Sequence, residues 1–197
     1  MSGRTEILEK PRNVSGRGRV RACNGMGKTP VVALENVLTE PPAKPYIVIH
    51  LEASDSDNRI NGETIVKCIN KFMGDTHAIV LAGYKRSSYL EEIAQAINHS
   101  QFKDMVGRLS ADALLYLVSG ADAVATGSWG IFRLADRLGI PVLLLDATTA
   151  DPLKPWSQYG YQLGLLDEQS NPYRICEALA YLLSFSAQRP SLGAYLI

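Results

Sequence analysis

Residues 121–156 read ADAVATGSWGIFRLADRLGIPVLLLDATTADPLKPW, and this stretch decides the fold. A short apolar run, Ala123–Ala125, meets a turn of small residues, Thr126-Gly127-Ser128. The spacing then predicts a helix over about 129–138, broken by Gly139-Ile140-Pro141. A second apolar run, Val142–Leu145, ends on Asp146. Strands that are apolar along their whole length, joined by a helix, are the mark of a parallel sheet covered on both faces. The turn also sets Gly127, Ser128 and Gly130 at a helix N-terminus. Unpaired amides and the positive end of the helix dipole make such a place a seat for a phosphate or another anion.

Outward from that unit the same alternation continues. YIVIHL (46–51) and HAIVLAG (77–83) read as strands, and FKDMVG (102–107) as a shorter one. Helices are expected over about 61–73, 87–98, 111–119 with Ser110 as N-cap, and 172–184. Residues 146–171 read as one long loop. Five strands alternating with helices predict an α/β fold: a single Rossmann-like, doubly wound parallel sheet over residues 46–197. Ligands of such sheets lie beyond the C-terminal strand ends, which here are 50–59, 83–88, 107–110, 126–130 and 146–151.

Residues 1–45 form a different region, a Gly- and Pro-rich arm and linker ending in EPPAKP. Over residues 1–30, seven basic residues stand against two acidic ones, so the rest of this formally neutral chain is acidic. A basic arm on an acidic body fits a phosphate-bearing or acidic partner, nucleic acid included, or simply a solvated tail. Ala22–Thr29 (ACNGMGKT) loosely follows the phosphate-loop pattern. That motif works only between a buried strand and a helix, and here GRGRVR precedes it and Pro30 follows, so its cations read as point charges.

No apolar run approaches the roughly 20 residues of a membrane span, and the start has no signal-peptide core. Cys23, Cys68 and Cys176 are odd in number and far apart. They read as free thiols of a reducing compartment, with no zinc spacing. The expectation is a soluble, cytoplasmic protein that needs no metal or cofactor.

At the strand ends, Arg59, Lys85 and Arg86 have the chemistry to pair with a pyrophosphate or to remain solvent-facing loop charges. His50, followed by Glu52, can be a general base or a satisfied structural histidine. Glu91 or Glu92 can accept from ribose hydroxyls or simply favour its helix dipole. No elbow, metal or paired-carboxylate motif marks a catalytic residue, so none is assigned.

The order and spacing of LAG (81–83), EEIAQAI (91–97), VGRLSADALLYLVSGADAVATGSWG (106–130), RLADRLGIPVLLLD (133–146) and DPLKPWSQYG (151–160) resemble the C-terminal half of the heptosyltransferases. These are GT-B glycosyltransferases that use a nucleotide-diphosphate heptose. The resemblance spans about Tyr46 to Gly160 and implies a nucleotide-sugar-binding half domain. It implies cofactor-like contacts from Arg59, Gly83, Glu91, Thr126, Ser128, Gly130 and Arg133, with Glu91 as the ribose acid. At the turn, where that family usually has Asp-Ser/Thr-Gly-Pro-x-His, Ser128 stands for the Asp, Trp129 for the hydroxyl residue and Arg133 for the His; Gly130 is retained. The turn is also similar to that of the UDP-N-acetylglucosamine 2-epimerases, agreeing at Ser128, Gly130, Ile131, Ala135, Gly139, Pro141, Val142, Leu143, Thr149 and Pro152, with Phe132, Arg133 and Leu134 replacing that motif's acidic residues. A GT-B enzyme closes two such domains over its substrates, and a 45-residue arm is too short to be the second. The resemblance therefore implies either glycosyl transfer with a partner supplying the acceptor domain, or a repurposed fold that serves as an interaction or assembly module, as an oligomer or with a protein partner.

Overall fold

The structure, a computed structural model, describes residues 42, 45–52, 60–149, 152–165 and 171–186. The basic arm, the phosphate-loop-like segment and Arg59 lie outside the described residues. In chain order the elements are β1 (Tyr46–His50), α1 (Gly62–Phe72), β2 (Ala78–Ala82), α2 (Ser88–Ala96), β3 (Phe102–Asp104), α3 (Ala111–Gly120), β4 (Ala123–Thr126), α4 (Trp129–Arg137), β5 (Val142–Asp146), β6 (Lys154–Pro155), β7 (Gly160–Gly164) and α5 (Pro172–Ser186).

The strands form one sheet in the order β3-β2-β1-β4-β5-β7-β6, parallel except for β6. The expected loop over 146–171 is thus corrected: it contains β7, which extends the parallel sheet beside β5, and the short antiparallel edge β6. The sequence hides β7 because Gly160, Tyr161, Gln162 and Gly164 interrupt the apolar run. Gln162 is buried nonetheless, and its side-chain amide donates to Asp146 at 2.6 Å. The third strand is also shorter than expected, since the Asp104 carboxylate accepts from Val106 N–H at 3.0 Å and turns the chain.

Side chains alternate across the sheet as the two-residue period of a strand requires. Ile47, Ile49, Ile79, Leu81 and Leu143 face one core with α1, α2 and α5. Val48, Val80, Val124, Val142 and Leu144 face the other with α3 and α4. Local chemistry fixes the helix ends. Asn61, Ser87, Ser110 and Asn171 each accept a backbone N–H at the start of a helix. Helix α4 stops in a Schellman motif. Gly139, at φ +69°, takes the left-handed position, and its N–H and that of Ile140 bond back to Asp136 and Ala135.

The free-thiol expectation fails for two of the three cysteines. Cys68 on α1 and Cys176 on α5 form a disulfide, with Cα atoms 6.0 Å apart. The sequence separation of 108 residues hid the pair. Both residues lie on inward helix faces that pack together only in the finished fold. No helix among the described residues is long and apolar enough to cross a membrane.

A cross-link closing so long a loop removes much unfolded-state entropy. Reduction is therefore expected to lower the unfolding free energy by about 2–4 kcal/mol. Urea midpoints with and without reductant check this, and Cys68→Ala should abolish the dependence on reductant.

Candidate functional site

Chain order fixes where this sheet opens. From β1 the chain builds outward through β2 and β3; β4 then returns to the other side of β1, and β5 and β7 continue that way. The loops leaving β1 and β4 therefore diverge, and the crevice beyond their C-terminal ends is the place where open α/β sheets bind ligands. In this chain His50 is paired in register with Thr126 on β4 and with Ala82 on β2.

Two buried polar side chains sit at that point. His50 is 2% exposed and Thr126 is fully buried. His50 Nδ1 lies 3.3 Å from Thr126 Oγ1, which also accepts the Ser128 N–H at 3.0 Å. The Thr126 hydroxyl keeps a proton and a second lone pair, so it pairs with Nδ1 in either imidazole tautomer. Nε2 faces Glu52 Oε2 at 3.6 Å, too far for a hydrogen bond, and has no hydrogen-bond partner among the described residues. Burial pushes the imidazole pKa below its ordinary value, against the opposing pull of Glu52.

Glu52 joins β1 to the loop after β2. Its Oε1 accepts the Lys85 N–H at 2.8 Å. Gly83 makes room for this: a Cβ there would stand 3.0 Å from Oε1 and 3.3 Å from Leu90. Glu52, Leu51, Tyr84, Lys85 and Ser87 line a cavity of about 400 Å³.

On the β4 side the chain enters α4 differently from the other helices. Ser128 is its N-cap, yet its side chain caps no amide, and the first turn carries no acidic residue. The first amides of the helix thus lack the side-chain acceptor that Asn61, Ser87, Ser110 and Asn171 provide elsewhere. Gly130 adds no bulk, since a Cβ there would meet only Ser128 Oγ, at 3.6 Å. Arg133, one turn further on, is exposed.

The sequence-derived candidates divide accordingly. Gly83, Thr126, Ser128 and Gly130 lie around the switch point, with Arg133 a turn into α4. Glu91 lies elsewhere: it is exposed on the first turn of α2, with Arg86 Nε 3.9 Å away. Arg86 also bonds Asp104, and the three residues share a recess of about 280 Å³ on the β3 flank. The Asp104 carboxylate holds the Arg86 guanidinium firmly in its charged form, but that pairing also occupies the fork expected for a pyrophosphate. Asp146 is likewise taken up by its own turn, accepting from Thr148 N–H at 2.8 Å and from Gln162. The sequence reading missed Tyr84 and gave Glu52 no role beyond neighbouring His50. A carboxylate two residues past an apolar strand was the available signal.

No protein-family model and no curated protein matches the sequence. Solved structures do. The Escherichia coli ADP-heptose lps heptosyltransferase II superposes with a TM-score of 0.65 at 19% identity, over 79% of this chain and 51% of that one. A putative UDP-N-acetylglucosamine 2-epimerase from Listeria monocytogenes gives 0.55 at 18% identity, over 78% and 39%. The E. coli heptosyltransferase WaaC with ADP-2-deoxy-2-fluoro heptose gives 0.52 at 16%, over 77% and 47%. The chain has a GT-B-type, Rossmann-like fold. It spans about half the length of the solved structures it matches. At these identities the likeness establishes the architecture, and the chemistry must be argued from the site.

A depressed histidine pKa has a definite sign in stability. The folded state keeps His50 neutral, while the unfolded chain protonates near pH 6.5, so stability falls as pH drops below that value. The expected slope is at most about 1.4 kcal/mol per pH unit until the folded imidazole itself protonates. Chemical denaturation at pH 7 and pH 5.5 reads it, and His50→Gln should flatten the difference.

Proposed function

We propose that the crevice beyond β1 and β4 binds a nucleotide-diphosphate sugar, and that glycosyl transfer occurs only when a partner supplies the acceptor-binding domain. The observation that carries the reading is the start of α4. Its leading amides have no side-chain cap, they sit at the topological switch point, and the buried His50–Thr126 pair lies directly behind them. An anion placed there would take those amides and the favourable end of the helix dipole. Arg133 is exposed one turn along to add charge, and the cavity beside Glu52 offers carboxylate oxygen to hydroxyl groups. Two of the neighbours carry the matching chemistry in their own names: one was solved with ADP-2-deoxy-2-fluoro heptose, and the other is named a putative UDP-N-acetylglucosamine 2-epimerase.

The alternative, a repurposed fold acting in assembly, draws on the acidic engagement of Arg86. A pyrophosphate site that depended on that arginine would have to displace two carboxylates.

Charge at the start of α4 gives the test. In a thermal-shift screen against ADP-, UDP-, GDP- and TDP-sugars, the unaltered chain should respond to at least one. Arg133→Ala should weaken that response and Arg133→Glu should abolish it, and because Arg133 is exposed both variants should melt like the unaltered chain without ligand. A response that survives Arg133→Glu places the diphosphate elsewhere, and no response to any donor leaves the assembly reading.

A further inference from the structure

The face of the sheet that carries α1, α2 and α5 is incompletely covered toward its β6 edge. Helix α5 lies over β4 and β5, and β7 and β6 carry the sheet on past it. On that flank Tyr161 of β7, Leu153 and Leu165 are only partly buried. Tyr181 and Phe185, on the last turns of α5, join them. The three rings form one cluster. Tyr181 meets Tyr161 edge-on at 5.5 Å and Phe185 edge-on at 4.9 Å, and Tyr161 and Phe185 stack with planes 12° apart. Tyr181 is 46% exposed. The phenol groups of Tyr161 and Tyr181 hydrogen-bond each other, so the cluster offers ring surface rather than free hydroxyls.

Apolar surface of this kind costs free energy while it is wet, and its size selects what can cover it. Three rings, each exposing half of the roughly 150–250 Å² that an aromatic side chain buries, would offer less than about 400 Å². A stable pair of copies needs about 800 Å² from each partner. The cluster is too small for a subunit interface and large enough for a few side chains of a single strand of chain.

Such a stretch leaves from the same spot. Helix α5 ends at Ser186, next to Phe185. Residues 187–197, which lie outside the described residues, read AQRPSLGAYLI. Pro190 cannot continue a helix, and Gly193 permits a reversal of direction. Beyond them Ala194, Tyr195, Leu196 and Ile197 are uncharged and apolar. Fully extended, residues 187–197 reach about 35 Å, ample for a return over the last turns of α5. A tether this short holds its end at an effective concentration in the millimolar range, so even a weak apolar contact is occupied.

We propose that residues 194–197 fold back over the Tyr161–Tyr181–Phe185 cluster and close this flank of the sheet. Leu196 and Ile197 supply the aliphatic surface for the ring faces, and the covered cluster no longer attracts a second copy. Tyr161 is the second residue of β7, so the cluster lies toward the start of the parallel strands. The crevice beyond their far ends, and the diphosphate reading placed there, are independent of it.

Hydrogen exchange on the full chain tests this. The amides of residues 192–197 should exchange at least about tenfold more slowly than those of the free peptide RPSLGAYLI, and no faster when the protein is diluted. Tyr181→Asp puts a charge into the cluster at an exposed position, and Leu196→Asp puts one into the segment. Each should return residues 192–197 to the rate of the free peptide while the amides of β1, β4 and β5 keep theirs. Leu196→Asp should also speed nitration of Tyr181 by tetranitromethane several-fold. Exchange of residues 192–197 at the free-peptide rate in the unaltered chain overturns the proposal, as does protection that both substitutions leave in place. Protection that falls on dilution overturns it too, and assigns the cluster to a second copy.

Discussion

Everything in this fold follows from the reversal of strand order at β1. A parallel sheet must bury both faces, so each crossover helix is committed to one side: α1, α2 and α5 to one core, α3 and α4 to the other. The reversal puts β1 and β4 side by side while their exit loops part. An opening is unavoidable there, and two polar side chains are drawn deep into the interior beside it. His50 and Thr126 occupy it. Burying such groups costs several kcal/mol unless they find partners, and these two largely satisfy each other through Nδ1 and Oγ1. The residual unpaired atom, Nε2, faces Glu52 at the cavity wall. The constraint that makes the crevice thus also places an imidazole, a hydroxyl and a carboxylate in sequence from the start of α4 to the loop after β2.

Much of this was legible in the residues because the signals were local. Uniform apolar runs announced β1, β2, β4 and β5, and Ser110 announced the start of α3. The Gly139-Ile140-Pro141 break announced the Schellman stop, since only a residue at ease with positive φ closes it. What escaped depended on distant partners. Strand β7 is held by pairing with β5 and by the Gln162–Asp146 bond, neither of which leaves a periodic trace. The Cys68–Cys176 bond joins residues whose proximity exists only once α1 and α5 share a face. In the site, loop positions were legible but pairings were not. Glu91 and Arg86 looked available in sequence, and each turned out to have a charged neighbour.

The cores also explain how this much of a GT-B-type architecture holds together. Each face has its own closed set of helices, so the sheet does not depend on a second domain for burial. The disulfide ties α1, at the start of the sheet, to α5, the last helix of the described chain. The open surface is left to the C-terminal strand ends, where the loops are positioned by a rigid scaffold rather than by one another.

Helix α4 shows how stability and recognition are separated within one element. Its C-terminus is fully resolved: two backbone bonds close the last turn and Gly139 takes the strained position. Its N-terminus departs from those of the other helices, with an N-cap serine whose side chain caps no amide and an exposed tryptophan at its first position. A cap there is worth about 1 kcal/mol and needs a single substitution, so leaving it open is a sacrifice of stability in a helix otherwise built for it. Breaches of local rules that nothing nearby repays are what functional sites look like in consistent folds. At this one the breach lies at the strand reversal, directly beyond the buried Thr126–His50 pair. That coincidence of an open amide row and buried polar support sets this helix start apart from those of α1, α2, α3 and α5, whose cap side chains each accept an amide.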